Sequence, residues 1–130
     1  MRRTADWMEQ AKGEFKAAKD LFKTSNYAWC CFACQQAAEK ALKAITEHFG
    51  YPTAGHNLIA LIEEVSKFIQ VPNEIKTACR ILNRYYIPTR YPNAFPSGAP
   101  VRMFNEDDAN EALQHSEKVI NLARKATGIA

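Results

Sequence analysis

One short segment carries most of the side chains that can bind an anion. Residues 80–92 read Arg-Ile-Leu-Asn-Arg-Tyr-Tyr-Ile-Pro-Thr-Arg-Tyr-Pro and contain three arginines and three tyrosines. Arginine presents a planar fork of N–H donors that matches phosphate or carboxylate, and tyrosine presents a flat ring with a hydroxyl group. The segment therefore has the chemistry to hold a nucleotide or an RNA backbone. Tyr85 and Tyr86 also fall on the apolar side of their helix, so part of the cluster is predicted to be core.

The arginines of this segment are spaced to act together. Arg80 and Arg84 are four residues apart, which places both on one face of a predicted helix with Asn83 beside them. Like charges at this spacing destabilise an isolated helix by a few tenths of a kcal/mol, so a bound anion or acidic neighbours such as Glu39 must compensate. Both explanations remain open. Arg90 lies between two prolines, in a stiff segment that can aim it at a fixed target. The predicted nucleotide- or phosphate-binding residues are Arg80, Arg84, Arg90, Tyr86 and Tyr91.

A polar ridge interrupts the second predicted helix. It consists of Gln35, Gln36, Glu39, Lys40 and Lys43. Glu39 precedes Lys43 by four residues, which is the favourable order for an ion pair, and both lysines are predicted to be solvated. Gln35 and Glu39 lie at the edge of the apolar face, where they can contact the arginines of the fourth helix. The predicted supporting residues of the site are Gln36, Glu39 and Asn83.

The sequence contains no recognisable catalytic or metal-binding motif. Its three histidines are scattered and its four cysteines form no C-x-x-C pair, so small buried thiols are favoured over a metal site. His56 precedes the third helix and is interpreted as a capping or packing residue rather than a base. A Gly-rich phosphate loop, an H-E-x-x-H motif and a G-x-S-x-G motif are all absent from the sequence. We therefore predict no catalytic residue, no metal and no cofactor.

Length and composition predict one domain over residues 1–130. This length is sufficient for one core, and a net charge of +3 tolerates an anionic partner without requiring one. No apolar run approaches the ~20 residues that span a bilayer, and the charged N-terminal segment lacks the pattern of a secretory signal. The chain is therefore expected to be cytoplasmic, without membrane contact.

Hydrophobic periodicity predicts an all-α fold with five helices. They are expected over residues 4–23, 27–49 and 57–69, from 73 to a stop at Pro88, and after a cap at Asn105. No stretch shows the alternation of a strand. Residues 92–104 have no periodicity and contain three prolines, which makes them a candidate lid over the arginine cluster.

The first half of the second helix predicts an additional contact surface. Residues 27–34 read Tyr-Ala-Trp-Cys-Cys-Phe-Ala-Cys and are apolar all round. A helix that is hydrophobic on every side must be covered on every side. Either a second copy of the chain provides this cover, with Trp29 and Phe32 as the contacts, or the neighbouring helices and the long loop do. We predict a homodimer and leave the second explanation open.

Three motifs together resemble a known family. They are the run from Gln35 to Lys43, the triplet His56-Asn57-Leu58, and the run from Tyr85 to Pro92. In this order and spacing they are similar to the HEPN family (higher eukaryote and prokaryote nucleotide-binding) in its small stand-alone form, over nearly the whole chain. The resemblance implies an up-and-down four-helix bundle with an additional short helix, usually dimeric. It also implies a minimal nucleotidyltransferase as partner, in pairs that look like toxin–antitoxin modules.

One departure from the family pattern bears on activity. HEPN ribonucleases carry an arginine that is followed after four to six residues by a histidine, whereas no histidine occupies the corresponding positions after Arg80 or Arg84. Tyrosine and arginine do not ordinarily titrate near neutrality and replace histidine poorly. The resemblance therefore implies nucleotide or RNA binding through Arg84, Arg90, Tyr86 and Tyr91, without RNA cleavage. Two alternatives remain: a metal-independent ribonuclease toxin with a divergent site, and an interaction module without a ligand.

Overall fold

The computed structural model describes residues 2–130, which form five α-helices. These are α1 (Thr4–Lys23), α2 (Tyr27–His48), α3 (Leu58–Val65), α4 (Asn73–Asn83) and α5 (Glu106–Thr127). Two single-turn 3-10 helices, Pro92–Ala94 and Pro100–Arg102, lie between α4 and α5. No strand occurs in residues 2–130, and the predicted all-α class is confirmed. The predicted domain starts at Met1, which lies outside the described residues.

Helix α2 lies at the centre of the bundle. It packs along α1 and α5 and also contacts α3 and α4. A turn of three residues joins α1 to α2, so the two helices run in opposite directions. Alanines on several sides of α2, such as Ala38 and Ala41, are fully buried and let the neighbouring helices approach closely. Although α2 is apolar, no helix in the described part of the chain is long and apolar enough to cross a membrane.

Local signals define both ends of α5. The Asn105 side chain accepts a hydrogen bond from the Asp108 amide (3.0 Å), and the Asp108 carboxylate accepts one from the Asn105 amide (2.9 Å). This reciprocal pair is a capping box, and the predicted cap at Asn105 is confirmed. The helix is followed by Gly128 with φ of 73°, a left-handed conformation that glycine adopts without strain.

Helix α4 ends at Asn83, five residues before the proline that was expected to stop it. The ring of Pro88 would clash with the carbonyl four residues earlier and disfavours helical geometry at Ile87, so the helix opens ahead of it. The chain then continues in turns, in which the Thr89 hydroxyl donates to the Tyr85 carbonyl. Because the helix ends early, the side chains that follow Arg84 do not continue the faces of α4.

The cysteines behave as small apolar side chains. Cys30, Cys31, Cys34 and Cys79 are free and fully buried, as predicted. Burial raises the pKa of the Cys79 thiol to about 12 and also raises the pKa of Cys31. Within residues 2–130, no cluster of three or more histidine, cysteine or acidic side chains is placed to hold a metal ion.

Candidate anion-binding site

An open groove lies between the start of α3 and the chain that leaves α4. Its volume is about 460 Å³. The lining residues are His56, Asn57, Asn83, Arg84, Tyr86, Ile87 and Pro88. Folding therefore brings two members of the arginine and tyrosine segment, Arg84 and Tyr86, next to a histidine from a distant part of the chain.

Asn83 connects the two walls of this groove. Its Oδ1 accepts a hydrogen bond from the amide of Leu58, the first residue of α3, at 2.8 Å. The Asn57 side chain accepts bonds from the amides of Ile59 and Ala60 at 2.9 and 3.2 Å. Two asparagines thus satisfy the free amides at the start of α3. Asn83 supports the groove by fixing α3 to α4.

His56 lines the groove, although the sequence predicted only a capping or packing function for it. Its Nδ1 lies 2.8 Å from Glu39 Oε1, and its ring stacks on Tyr86 with centroids 4.7 Å apart and an angle of 17° between the planes. The backbone carbonyl of His56 accepts a hydrogen bond from Gln35 Nε2 at 3.1 Å. The side chain nevertheless remains 52% exposed. Since Nδ1 faces Glu39, Nε2 is the ring nitrogen that remains for a ligand.

Glu39 is a buried carboxylate shared by several donors. It is 1% exposed, and its Oε2 lies 3.2 Å from Lys43 Nζ. Its Oε1 bonds to His56 and accepts a longer bond of 3.4 Å from Gln36 Nε2. A buried charge requires such partners. The expected contact of Glu39 with the arginines of α4 is wrong, because donors on its own helix and the loop before α3 occupy the carboxylate.

The lysines of the polar ridge are not solvated. The side chains of Lys40 and Lys43 are 15% and 10% exposed. Lys40 Nζ bonds to Glu14 of α1 at 2.9 Å and to Gln36 Oε1 at 3.0 Å, while Lys43 Nζ lies over the Trp7 ring at 5.5 Å. The prediction of solvated lysines is wrong because α1 covers this side of α2 and supplies the partners. Gln36 therefore belongs to a network that runs from α1 to His56.

Arg80 and Arg84 line different grooves. Arg84 is exposed beside Tyr86, whereas Arg80 lines a second groove between α3 and α4 with Ile59 and Lys76, and donates to Thr77 Oγ1 at 3.1 Å. Within the described residues, no carboxylate lies within 4.0 Å of either guanidinium. Glu63 lines the groove of Arg80, whereas no acidic side chain lines the groove of Arg84. The Arg84 guanidinium is therefore the one that is available to bind an anion.

Arg90 turns towards the protein and packs among aromatic rings. Its Nε and Nη2 donate to the Tyr86 carbonyl at 2.9 and 2.7 Å. Its Cζ lies 4.2, 4.7 and 5.0 Å from the ring centroids of Phe32, Tyr86 and Tyr91. These contacts stabilise the turn after α4 and leave only part of the guanidinium for a ligand. The ring of Tyr86 contacts both His56 and Arg90, so Tyr91, which is 46% exposed, is the freer stacking surface.

An aromatic surface continues from the groove onto α2. Phe32 packs against Tyr86 with centroids 6.2 Å apart, and Trp29 packs edge-on against Phe32 at 6.1 Å. Trp29 remains 45% exposed and Phe32 is half-buried, whereas the cysteines beside them are covered. The neighbouring helices and loop therefore cover only part of this half of α2.

The proline-rich segment that precedes α5, residues 92–104, packs beside Tyr85. Phe104 packs edge-on against Tyr85 at 5.9 Å, and Phe95 packs against Phe104 at 6.3 Å. Pro100 is buried. None of residues 92–104 lines the groove of Arg84, so the structure does not place the expected lid over it. Its aromatic rings instead extend the core beside Tyr85.

Comparison with known proteins identifies the family. The sequence profile of the HEPN domain matches residues 4–126. The chain belongs to the HEPN family. The crystal structure of TT1696 from Thermus thermophilus is similar to this HEPN protein, with 37% identity, a TM-score of 0.94, and coverage of 97% of this chain and 99% of that one. ST0689, described as an archaeal HEPN homologue, is 30% identical with a TM-score of 0.81 and covers 96% and 98% of the two chains.

More distant relatives agree with this assignment. An HEPN domain protein from Thermotoga maritima is 27% identical, with a TM-score of 0.78 over 96% of this chain and 99% of that chain. A Methanocaldococcus jannaschii protein named "Putative toxin MJ1304" is 23% identical over 127 residues, which cover 91% of this HEPN protein and 84% of the relative. The family resemblance carried by the three sequence motifs is confirmed.

Two features of the site were missed or misjudged from the sequence. The proximity of His56 to Arg84 had one available signal, the His56-Asn57 pair at the predicted start of a helix next to the polar ridge. The burial of Lys43 had a weaker signal, its spacing of four residues from Glu39. Neither signal shows which parts of the chain meet: α1 covers Lys43, and the loop before α3 lies beside Arg84.

Proposed function

We propose that this HEPN protein binds a nucleotide or an RNA phosphate in the groove of Arg84. The observation that supports this function is the exposed Arg84 guanidinium, which shares the groove with His56, Asn57 and Tyr86 and has no carboxylate partner within residues 2–130. An arginine of this kind binds phosphate through paired N–H donors. Tyr91 does not line this groove, and its exposed ring can stack on a base of a longer RNA strand.

Arg80 and Arg90 have secondary parts in this proposal. Arg80 lies one helical turn from Arg84 but in the neighbouring groove, so it contributes to an extended RNA backbone more than to a single nucleotide. Arg90 holds the turn that carries Tyr86 and offers its remaining donors to the ligand. Gln36, Glu39 and Asn83 act indirectly, by fixing His56 and the start of α3.

Binding of a labelled single-stranded RNA of about ten nucleotides, followed by fluorescence anisotropy at several salt concentrations, tests the site. Arg84→Ala should weaken binding and lower the slope of log affinity against log salt by about 1, because one phosphate contact is lost. Arg102→Ala is the matched control, since Arg102 is exposed, carries the same charge and lies outside the groove. Equal affinities of the two variants would contradict the proposal. For Arg90→Ala, circular dichroism must first show that the fold is intact, because the Arg90 side chain also stabilises the turn after α4.

RNA cleavage without a metal is the second candidate function, and the position of His56 favours it. The groove contains a histidine that the segment after Arg84 lacks, and histidine is the commonest general acid or base. We expect the RNA to remain intact on a denaturing gel in the presence of a chelator. Cleavage that disappears in both Arg84→Ala and His56→Asn would instead establish the ribonuclease.

We further propose that the protein works as a homodimer and as the accessory subunit of a minimal nucleotidyltransferase, in a toxin–antitoxin-like pair. Membership of the HEPN family and a relative named as a toxin support this assignment. Co-expression of the affinity-tagged protein with a nucleotidyltransferase encoded beside it tests the pairing. The two chains should elute together at constant stoichiometry during size-exclusion chromatography, and separate elution would contradict the pairing.

A further inference from the structure

We propose that His56 is a second phosphate ligand of the groove, and that it acts beside Arg84 only when its imidazole is doubly protonated. The inference rests on the proposed phosphate binding and adds a regulation by pH. His56 would then bind a ligand, in addition to the capping or packing function that the sequence predicted.

Two contacts position the His56 ring, and a third holds its backbone. Glu39 holds Nδ1 at 2.8 Å, the Tyr86 ring stacks on the imidazole, and Gln35 bonds to the backbone carbonyl. The side chain is still half exposed and lines the same groove as Arg84. A packing histidine would not need this exposure, and a solvated histidine would not have these contacts. Such a preorganised ring can bind a ligand without losing much conformational entropy.

The contact with Glu39 gives the two ring nitrogens different functions. Because Nδ1 donates its hydrogen to the carboxylate, Nε2 carries a lone pair in the neutral ring and an N–H in the protonated ring. A lone pair repels a phosphate oxygen, whereas an N–H on a cationic ring donates a charge-assisted hydrogen bond to it. Protonation therefore changes His56 from a group that disfavours the anion into one that binds it.

The charged groups around His56 come from two sides. Helix α2 contributes Glu39, whose charge is shared with Lys40 and Lys43, and the chain after α4 contributes Arg84, with Arg90 behind the Tyr86 ring. Glutamate, lysine and arginine ordinarily keep their charge between about pH 5 and 8, whereas histidine ordinarily changes its charge in this range.

The acidic side chains of α3 and the histidine at the end of α2 lie outside the groove. On α3, Glu63 lines the second groove with Arg80, and Glu64 pairs with Lys67 at 2.8 Å. His48 packs against Phe49. A pH dependence of anion binding that is lost on substitution of His56 therefore reports on this ring.

The test measures RNA affinity at about pH 6 and about pH 8 for the wild type, His56→Asn and the control His48→Asn. The RNA ends in hydroxyl groups, so that it carries only phosphodiester charges. Wild type and His48→Asn should bind roughly fivefold more tightly at the lower pH, as expected for one exposed ion pair, with a salt slope larger by about 1. His56→Asn should bind with the same affinity at both pH values and more weakly than the wild type at the lower one. The bond from Gln35 is to the backbone, so the substitution leaves it in place.

A second measurement observes the imidazole directly. Inorganic phosphate added at about pH 6 should shift the His56 Nε2 resonance in a long-range ¹H–¹⁵N spectrum, and Arg84→Ala should reduce that shift. The same pH ratio of RNA affinities in wild type and His56→Asn would overturn the inference and leave binding at Arg84 intact. RNA binding that is indifferent to Arg84→Ala at both pH values would overturn the proposed function together with the inference.

Discussion

At the scale of single residues, Glu39 determines the geometry of the site. It is a carboxylate in the middle of the central helix, out of contact with water, and its partners come from its own helix and from the loop before α3. Lys40 connects the same network to Glu14 of α1. A buried ion pair is not in itself strongly stabilising, but removal of one partner leaves the other charge uncompensated. The network therefore couples the position of His56 to the packing of α1 on α2.

Glu39→Ala should lower the free energy of unfolding by about 3 kcal/mol or more, because the Lys43 ammonium remains buried without its counter-charge. Urea denaturation followed by circular dichroism measures this change. Glu117→Ala is the control: Glu117 is exposed on α5, and its substitution should change stability by no more than about 0.5 kcal/mol. Similar unfolding midpoints for the two variants would show that the Glu39–Lys43 pair does not contribute in this way.

At the scale of elements, α3 depends on its neighbours. It has eight residues, and isolated helices of this length are not stable in water. Its residues Leu58, Leu61, Ile62 and Val65 are buried against the bundle. Asn57 caps its first turn, and Asn83 at the end of α4 accepts the Leu58 amide. The groove therefore has one wall whose position depends on a side chain of the other wall.

Asn83→Ala should destabilise the protein by about 1 to 3 kcal/mol, since the Leu58 amide would lose its acceptor in a buried position. Hydrogen exchange provides the local readout, and the Leu58 amide should exchange faster than in the wild type while the amides of α5 change less. Asn110→Ala is the control, because Asn110 is exposed within α5 and alanine favours helix. Unchanged exchange at Leu58 would exclude the bridging function of Asn83.

At the scale of the whole molecule, exposed apolar side chains cluster next to the groove. Trp29, Ile87 and Tyr91 are large hydrophobic residues that remain exposed. Phe32 packs against both Trp29 and Tyr86, and Arg90 lies over the Phe32, Tyr86 and Tyr91 rings. Contiguous exposed apolar surface is typical of an interface. A second copy of the chain on this surface would lie beside Arg84, which links assembly to ligand binding.

We expect light scattering at micromolar concentration to give the mass of a dimer, and Trp29→Glu to shift it towards the monomer. A carboxylate buried in the contact without a partner costs several kcal/mol. Val101→Glu places the same charge on an exposed apolar residue of the proline-rich segment, outside the aromatic surface, and should leave the dimer intact. A wild-type mass equal to one chain would contradict the homodimer, and a Trp29→Glu variant that keeps the mass of a dimer would place the interface elsewhere.

The sequence by itself determined the helices, because their signals are local. Hydrophobic periodicity placed five helical segments, Asn105 marked the start of α5, and the predicted end of the second helix at residue 49 lies one residue beyond the observed end, His48. The three family motifs, read in order, also predicted the fold. The ends of α3 and α4 were less accurate. Helix α3 ends at Val65 and not at residue 69, and α4 ends five residues before Pro88, because a proline disfavours helical geometry in the turn before it.

The tertiary structure alone decided which of the candidate side chains meet. Arg80 and Arg84 are four residues apart in the sequence, yet they face different parts of the chain: Arg80 lines a groove with Ile59, and Arg84 lines one with His56. Arg90 turns towards Phe32, Lys43 is covered by α1, and His56 arrives beside Arg84 from the loop before α3. These arrangements depend on contacts between helices that are far apart in the chain. Helical periodicity indicates which face of a helix is buried, but it does not indicate which other helix or loop covers that face.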